Sequence, residues 1–412
     1  MQGRSRNQVA VLFDQLLRPN VDLGNDQTCL KWHYHSNKAV KHVVLGSGLP
    51  GGSWHFMQGS QLTLSLNNWL ELPGYEFQDW LREHRAASIR KPCNLVTNGV
   101  TSDGYNYDRA TTSHIAEYYK DFVSKMEIAD HFWSDTNVLS VKHLCSDENN
   151  PSQSSRNQNL DCWEVRGVKK LPQGKVEPFV IHAENVVLAT GCNTPKTLGI
   201  PGEHYPFVYH KVSDVDALMS DLQSRNEQAT DPCLIVGAGL SAGDAIVALS
   251  EREIPVLHVF RRAATDSKVI FNQLPAVVYP EYHHIKKMMK GDVIADGKYT
   301  RFPKHKLVEI CKNRECILED STGNRFKQKV LYVFILIGAV PDLSFVSEGE
   351  SLGCNPLMPV DCKQNPVDIN PFTYESVKHR GLFCLGPLVG DNFVRFGTGG
   401  TLAVASHFVD ES

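Results

Sequence analysis

Between Pro232 and Ala263 the chain reads PCLIVGAGLSAGDAIVALSEREIPVLHVFRRA, and no other stretch limits its fold as tightly. Leu234–Val236 is a short apolar strand, and Gly237-Ala238-Gly239-Leu240-Ser241-Ala242 spells G-x-G-x-x-A. Residues 243–249 carry apolar side chains at helical spacing, and Val256–Phe260 is a second strand. Strand, tight turn, helix and strand in this order are the context that a dinucleotide-binding fingerprint requires. Gly237 permits the turn. Gly239, without a Cβ, lets a pyrophosphate approach the backbone, and Ala242 is small enough for the helix to pack on the strand. The helix start, including Ser241, presents free N–H groups and a positive dipole end to a phosphate. The second strand ends in Arg261-Arg262 where an acidic residue would bond the 2′-hydroxyl of NAD. Guanidinium groups suit a 2′-phosphate through planar, charge-assisted hydrogen bonds, so the pair favours NADP(H). The bland alternative, a structural glycine turn followed by surface arginines, is disfavoured because context, spacing and arginines agree.

A second glycine-rich stretch, VVLGSGLPGGSWHF, places Gly46, Gly48 and Gly51 at G-x-G-x-x-G spacing. A strand before it is plausible, but a helix after it is not. Pro50 sits inside the loop and Gly59 follows closely, while QLTLSL (Gln61–Leu66) alternates with the period of a strand. Glu71 lies near the spacing of a ribose-binding acid but precedes Pro73-Gly74 in a predicted loop. This G-x-G-x-x-G reads as coincidental.

The 412 residues suffice for two or three domains at roughly 100–200 residues each. A net charge of −4 offers no electrostatic case for nucleic acid or a membrane surface. The longest apolar run, Leu331–Val340, is half the roughly 20 residues of a spanning helix and reads as a buried strand. The start, MQGRSRNQ, has no apolar signal region. The 11 cysteines form no C-x-x-C and no zinc spacing, which suits free thiols in a reducing compartment. A cytoplasmic location follows, with nucleus and mitochondrion left open.

Helices are predicted at Ser113–Lys125 and Ala242–Glu251, and strands at Asn185–Ala189, Val330–Gly338 and Gly381–Gly386. A β-meander is predicted over Leu307–Val330, and a hairpin is predicted to join VLSVKHLC to CWEVRG across the polar tip Ser146–Asp161. Strands alternating with helices around a meander imply an α/β fold with more than one sheet. Cys311 and Cys316 have C-x4-C spacing but flank a turn of the meander, where two thiols on neighbouring strands is the better reading. His283 and His284 lack a third ligand. Asn67-Asn68 reads as a turn.

Several stretches resemble the oxidative-stress-induced growth inhibitor family: LGSGLPGGSWHFMQGSQLTLSLNNWLELPG, VVLATG, CLIVGAGLSAGDA, PVLHVFRRAATD, FNQLPAVVYPEYH, LIGAVPDLSF and GPLVGDNFVRFGTGGTLAVAS. That family in turn resembles flavin-containing monooxygenases, which bind FAD and NADPH in two nested domains. The resemblance implies an α/β fold of two nested Rossmann-like dinucleotide-binding domains: a FAD-type domain over residues 1–205, an inserted NADP-binding domain over 206–344, and a FAD-type return over 345–412. Gly51, Gly52 and Trp54 then match a GG-x-W loop beside the flavin. Gly191 ends the ATG motif at the first crossing, Gly338 with Pro341-Asp342 matches the second, and Gly390-Asp391 matches a pair whose carboxylate bonds the flavin's ribityl chain. His210 is retained near the first crossing without the expected glycine spacing. Full-length members of the family begin with a strand and an authentic G-x-G-x-x-G. This sequence starts downstream of that segment, which counts against stable FAD binding.

The implied activity is that of a flavoprotein monooxygenase: NADPH reduces FAD, and the reduced flavin meets dioxygen. Gly237, Gly239, Ser241, Ala242, Arg261 and Arg262 would hold NADP. No catalytic acid or base, no metal site and no substrate is assigned, and Phe271–His283 receives no role. The alternative is a catalytically silent regulator that keeps the fold for protein partners in growth and cell-death control.

Overall fold

A computed structural model of the chain describes residues 5–19, 28–33, 35–87, 109–144, 162–215, 218, 231–292 and 297–410. It divides into two compact units, one formed by residues 1–193 with 340–412 and one by 194–339. The sequence draws the corresponding boundaries at 205 and 344.

Unit 1 opens with helix α1 (Gln8–Leu17) and strand β1 (Val44–Leu45). Gly51 and Gly52 follow in left-handed conformations and lead into a single 3-10 turn, Gly52–Phe56, so no α-helix follows this glycine loop. QLTLSL is not a strand, contrary to its alternation. Leu62 makes one isolated bridge to Thr111, and Thr63 N–H donates to Ala110 O. The Thr63 hydroxyl then bonds back to Ser65 O, and a 3-10 turn begins at Asn67. Glu71 accepts from Phe77 N–H and so caps helix α2 (Phe77–Ala87). Helix α3 (Thr112–Lys125) is capped by Thr111, whose hydroxyl accepts from His114 N–H. Phe77, Trp80, Tyr118 and Tyr119 join these helices in one aromatic core.

Strand β2 (Phe132–Trp133) pairs in parallel with β1. Then β3 (Thr136–Leu144), β4 (Cys162–Lys170) and β5 (Val176–Ala183) form an antiparallel sheet in that order. The hairpin tip proposed at 146–161 lies outside the described residues. Strand β6 (Val186–Leu188) ends this part of unit 1.

Unit 2 holds β7 (Thr194–Pro195), β8 (Val208–Tyr209), β9 (Cys233–Val236), α4 (Leu240–Ser250), β10 (Val256–Phe260), α5 (Pro280–Lys290) and β11 (Tyr299–Pro303). The meander β12 (Lys306–Ile310), β13 (Glu315–Glu319), β14 (Arg325–Lys329) follows, then β15 (Val333–Ile335). Strand β16 (Ala339–Val340) lies at the unit boundary. A five-stranded parallel sheet runs β11-β10-β9-β15-β8. Every residue of β9, β10 and β15 is buried, as expected of parallel strands covered on both faces. Helix α5 has Pro280 in its first turn and left-handed Gly291 as its stop.

The chain returns to unit 1 with β17 (Leu382–Cys384), parallel to β6, and ends in helix α6 (Val394–Asp410). Gly399 of α6 lets α1 approach, since a Cβ there would lie 2.7 Å from Ala10 Cα. Asp14 of α1 forms a two-pronged, buried ion pair with Arg395 of α6.

Candidate functional site

In unit 2 the strongest sequence motif becomes a built turn. Gly237 takes φ +133°, and a Cβ there would lie 2.2 Å from the carbonyl oxygen of Leu336, just past β15. Only glycine fits. Gly239 caps α4 with no side-chain bond to the helix, and open space surrounds the position its Cβ would take. The first intrahelical bond runs from Gly243 N–H to Gly239 O. The amides of Leu240, Ser241 and Ala242 therefore precede the ladder, in the arrangement that receives an anion. Ala242 is fully buried under the sheet, while Ser241 is exposed.

His258 supports this turn from inside the sheet. It is fully buried in β10, with Nε2 2.6 Å from Gly237 O and Nδ1 2.7 Å from the Tyr299 hydroxyl on β11. A carbonyl only accepts, so Nε2 donates to Gly237 and Nδ1 accepts from Tyr299. Burial holds the ring neutral, its pKa pushed down to about 4. The sequence reading missed this residue. Its signal is one polar side chain in the otherwise apolar strand VLHVF.

The Phe271–His283 segment also finds a place. The Tyr282 hydroxyl donates to Asp244 of α4 at 2.6 Å. The Phe271 ring lies 2.9 Å from where a Cβ on Gly243 would stand. The segment therefore braces the helix whose N-terminus faces the loop.

Arg261 and Arg262 are both exposed just past β10. Val259 pairs with Val236 in parallel register, so Arg261 falls level with the fingerprint turn. Arg262 is paired with Asp266 at 3.3 Å, whereas Arg261 forms no ion pair among the described residues. A cavity of about 480 Å³ opens beyond the ends of β10 and β11, and its charged lining is Lys290, Arg301, Lys304 and Asp292.

Unit 1 gathers the other predicted residues. A Cβ on Gly51 would lie 3.0 Å from His55 Nε2, and Trp54 packs edge-on against Tyr119. Ser53 of this loop donates to Asn193 at 3.2 Å, and Asn193 donates to Thr190 O, beside left-handed Gly191. Asn392 donates to Cys362 O and Gly390 O, next to Asp391. Asp391 is only 2% exposed, and its carboxylate accepts from Ser5, Asn7 and the Tyr374 hydroxyl. Burial outweighs these bonds and pushes its pKa up. Both amide atoms of Asn67 and the indole N–H of Trp69 are enclosed with no hydrogen-bond partner among the described residues. Buried polar groups are seldom left so, and a polar ring edge or a phosphate would satisfy them. These orphaned groups fit a flavin, while Asp391 has at most one lone-pair site of its roughly four to spare.

Several other features carry no site. Cys316 is fully buried opposite Ile310, and burial pushes its thiol up to about 12. His210 bonds Glu203, which itself accepts the amides of Leu198 and Gly199. Among the described residues no His, Cys, Asp and Glu group could hold a metal, and no helix is long and apolar enough to cross a membrane.

The two units have the fold of FAD- and NAD(P)-binding oxidoreductases. Bacillithiol disulfide reductase from Bacillus cereus superposes with a TM-score of 0.62 at 16% identity, covering 91% of this chain and 93% of that one. Ornithine hydroxylase from Pseudomonas aeruginosa superposes with a TM-score of 0.58 at 13% identity, covering 99% and 97%. The family described as pyridine nucleotide-disulphide oxidoreductase matches residues 171–386. Oxidative stress-induced growth inhibitor 2 of Homo sapiens is 40% identical over 98% of this chain and 80% of its own length. The Caenorhabditis elegans homolog osgn-1 is 27% identical over the same shares. The chain belongs to the oxidative stress-induced growth inhibitor family.

Proposed function

We propose that the protein is an NADPH-binding oxidoreductase of the flavin monooxygenase type, acting in growth restraint under oxidative stress. The observation that carries this reading is the turn at Gly237–Ala242, with its uncapped helix start, open face at Gly239 and buried His258 support. Residues 206–344 form the NADP-binding domain, and the flanking segments form the FAD-type domain. Gly237, Gly239, Ser241 and Ala242 receive the pyrophosphate. Arg261 meets the 2′-phosphate, with Arg262 secondary because Asp266 already holds it. Gly51, Gly52, Trp54, Gly191, Gly390 and Asp391 frame the flavin, and Asn67 bonds its polar edge.

When bound, the two cofactors supply hydride transfer and oxygen activation; the chain supplies binding, orientation and exclusion of water. A second reading, a silent regulator that keeps the fold for protein partners, is favoured by the closure of Asp391 under Ser5, Asn7 and Tyr374.

The test is the visible spectrum of the purified chain with added FAD, followed by anaerobic NADPH. A bound flavin that bleaches supports the enzyme; no flavin uptake with NADPH still bound supports the regulator. Arg261→Ala should weaken NADPH binding roughly tenfold or more, since hydrogen bonds to charged groups contribute about 1.5–3 kcal/mol, and leave NADH binding unchanged. Equal effects on both would remove the 2′-phosphate assignment.

A further inference from the structure

The bonds that close Asp391 are not all of one kind. The Tyr374 hydroxyl donates to it at 2.9 Å from a fully buried ring in the core of unit 1, and the Tyr374 carbonyl accepts from Cys384 N–H of β17. The other two donors stand on the segment just before α1. The Ser5 hydroxyl lies 2.5 Å from Asp391 Oδ1, and Asn7 Nδ2 lies 3.0 Å from the same oxygen and 3.2 Å from Val389 O. Ser5 is half-buried, and Arg6 is exposed with one bond to Lys363 O. Asp391 is itself buried, so a ligand reaches its carboxylate only after a covering group moves. Of the three hydrogen-bonding covers, Tyr374 is locked in the core, whereas Ser5 and Asn7 belong to a segment that reaches the surface.

Asn7 also stands at the N-cap of α1, where an asparagine side chain ordinarily accepts from a free helix N–H. Its carbonyl takes the first helical bond, from Val11 N–H at 3.2 Å. Its side chain makes no capping bond and is turned to Val389 and Asp391 instead. The side chain thus has two uses. In one it holds the buried carboxylate and leaves α1 uncapped; in the other it caps α1 and releases Asp391. The cap offsets much of the hydrogen bond that is given up. Ser5, meanwhile, presents Asp391 with a hydroxyl on a saturated carbon, the same group that a ribityl chain presents.

We propose that Ser5–Asn7 is a built-in competitor of the flavin, a latch that must leave Asp391 before the ribityl chain can bond it. The proposal rests on the assignment of Asp391 to the flavin and names the regulation of that site. With the latch closed, only a fraction of the chains is competent to bind, and the apparent affinity for FAD falls by that fraction. Drawing the segment away raises the affinity without touching any contact of the flavin itself.

The experiment is FAD titration of the full chain, read by flavin fluorescence, for wild type, Asn7→Asp and Ser5→Ala, together with limited trypsin cleavage after Arg6. Aspartate caps a helix as well as asparagine does. Asn7→Asp therefore keeps α1 and sets a second carboxylate against Asp391, which opens the latch. The expected result is FAD binding about tenfold tighter in Asn7→Asp and roughly threefold tighter in Ser5→Ala. Cleavage after Arg6 in wild type should speed up when FAD is added. Equal or weaker FAD binding in both variants, or cleavage unchanged by FAD, overturns the latch and leaves the flavin assignment standing. No FAD uptake by any of these chains overturns the flavin assignment and the latch with it. Ser5→Ala, which leaves the N-cap residue in place, and the wild-type cleavage rates decide the question even where Asn7→Asp fails to fold.

Discussion

Both units contain parallel strands ending in glycine turns, but they bury them differently. In unit 2, β9, β10 and β15 lie side by side in a five-stranded sheet and every residue in them is enclosed. Among the described residues of unit 1 the parallel strands form two separate pairs, β1 with β2 and β6 with β17. β17 is enclosed throughout, but Val44 of one pair is 38% exposed and Val187 of the other 41%. Apolar parallel strands are ordinarily covered on both faces. The loop of unit 2 therefore rests on a rigid support. The turns of unit 1 are held instead by side-chain bonds such as Ser53 to Asn193 and Tyr374 to Asp391.

The largest test of this contrast is Gly237→Ala. The left-handed backbone and the 2.2 Å approach to Leu336 O leave no room for a methyl group. The variant should lose about 3 kcal/mol or more and its NADPH binding together. A near-native thermal midpoint would mean that the turn is not as tight as described.

His258→Phe should come next. In the folded chain His258 titrates at about 4, against 6.5 when unperturbed. The unfolded chain then binds the extra proton between these values, so this residue's share of stability is full above pH 6.5 and is lost as pH falls toward 4. The share is up to about 3 kcal/mol. Urea melts of wild type and variant across this window should converge at the acid end. A constant difference would show that burial does not hold this ring neutral.

A matched pair probes the sheets themselves. Val259 is fully buried in β10, so Val259→Thr should cost about 2 kcal/mol by enclosing a hydroxyl. Val187→Thr, at the exposed position of β6 in unit 1, should cost less than about 0.5 kcal/mol. Equal costs by denaturant melts would erase the contrast.

Local physics was legible in the sequence. The strand pair CLIV and VLHVF, the turn between them, the meander and the helix from Thr112 all follow from apolar period and glycine placement. QLTLSL was not legible, because alternation alone does not make a strand: among the described residues Leu62 makes a single isolated bridge, and the Thr63 hydroxyl bonds Ser65 O instead. Helix α1 was missed for a related reason: its firm hold is the ion pair from Asp14 to Arg395, far along the chain. The partners of Asp391, Ser5 and Asn7, are equally remote in sequence and could not be read from its neighbours. His258 could have been found, since a lone imidazole in a buried strand needs two partners.

The most direct measurement is NADPH binding by calorimetry to wild type and Gly239→Val. A Cβ at Gly239 meets nothing within 4 Å and φ there is −95°, so the fold should tolerate valine at a cost of at most about 1 kcal/mol as a poorer cap. Its methyl groups would stand where a pyrophosphate must approach. The account predicts a near-native thermal midpoint with NADPH affinity reduced by about two orders of magnitude or more. Undiminished affinity in a folded Gly239→Val chain would contradict it and place the nucleotide elsewhere.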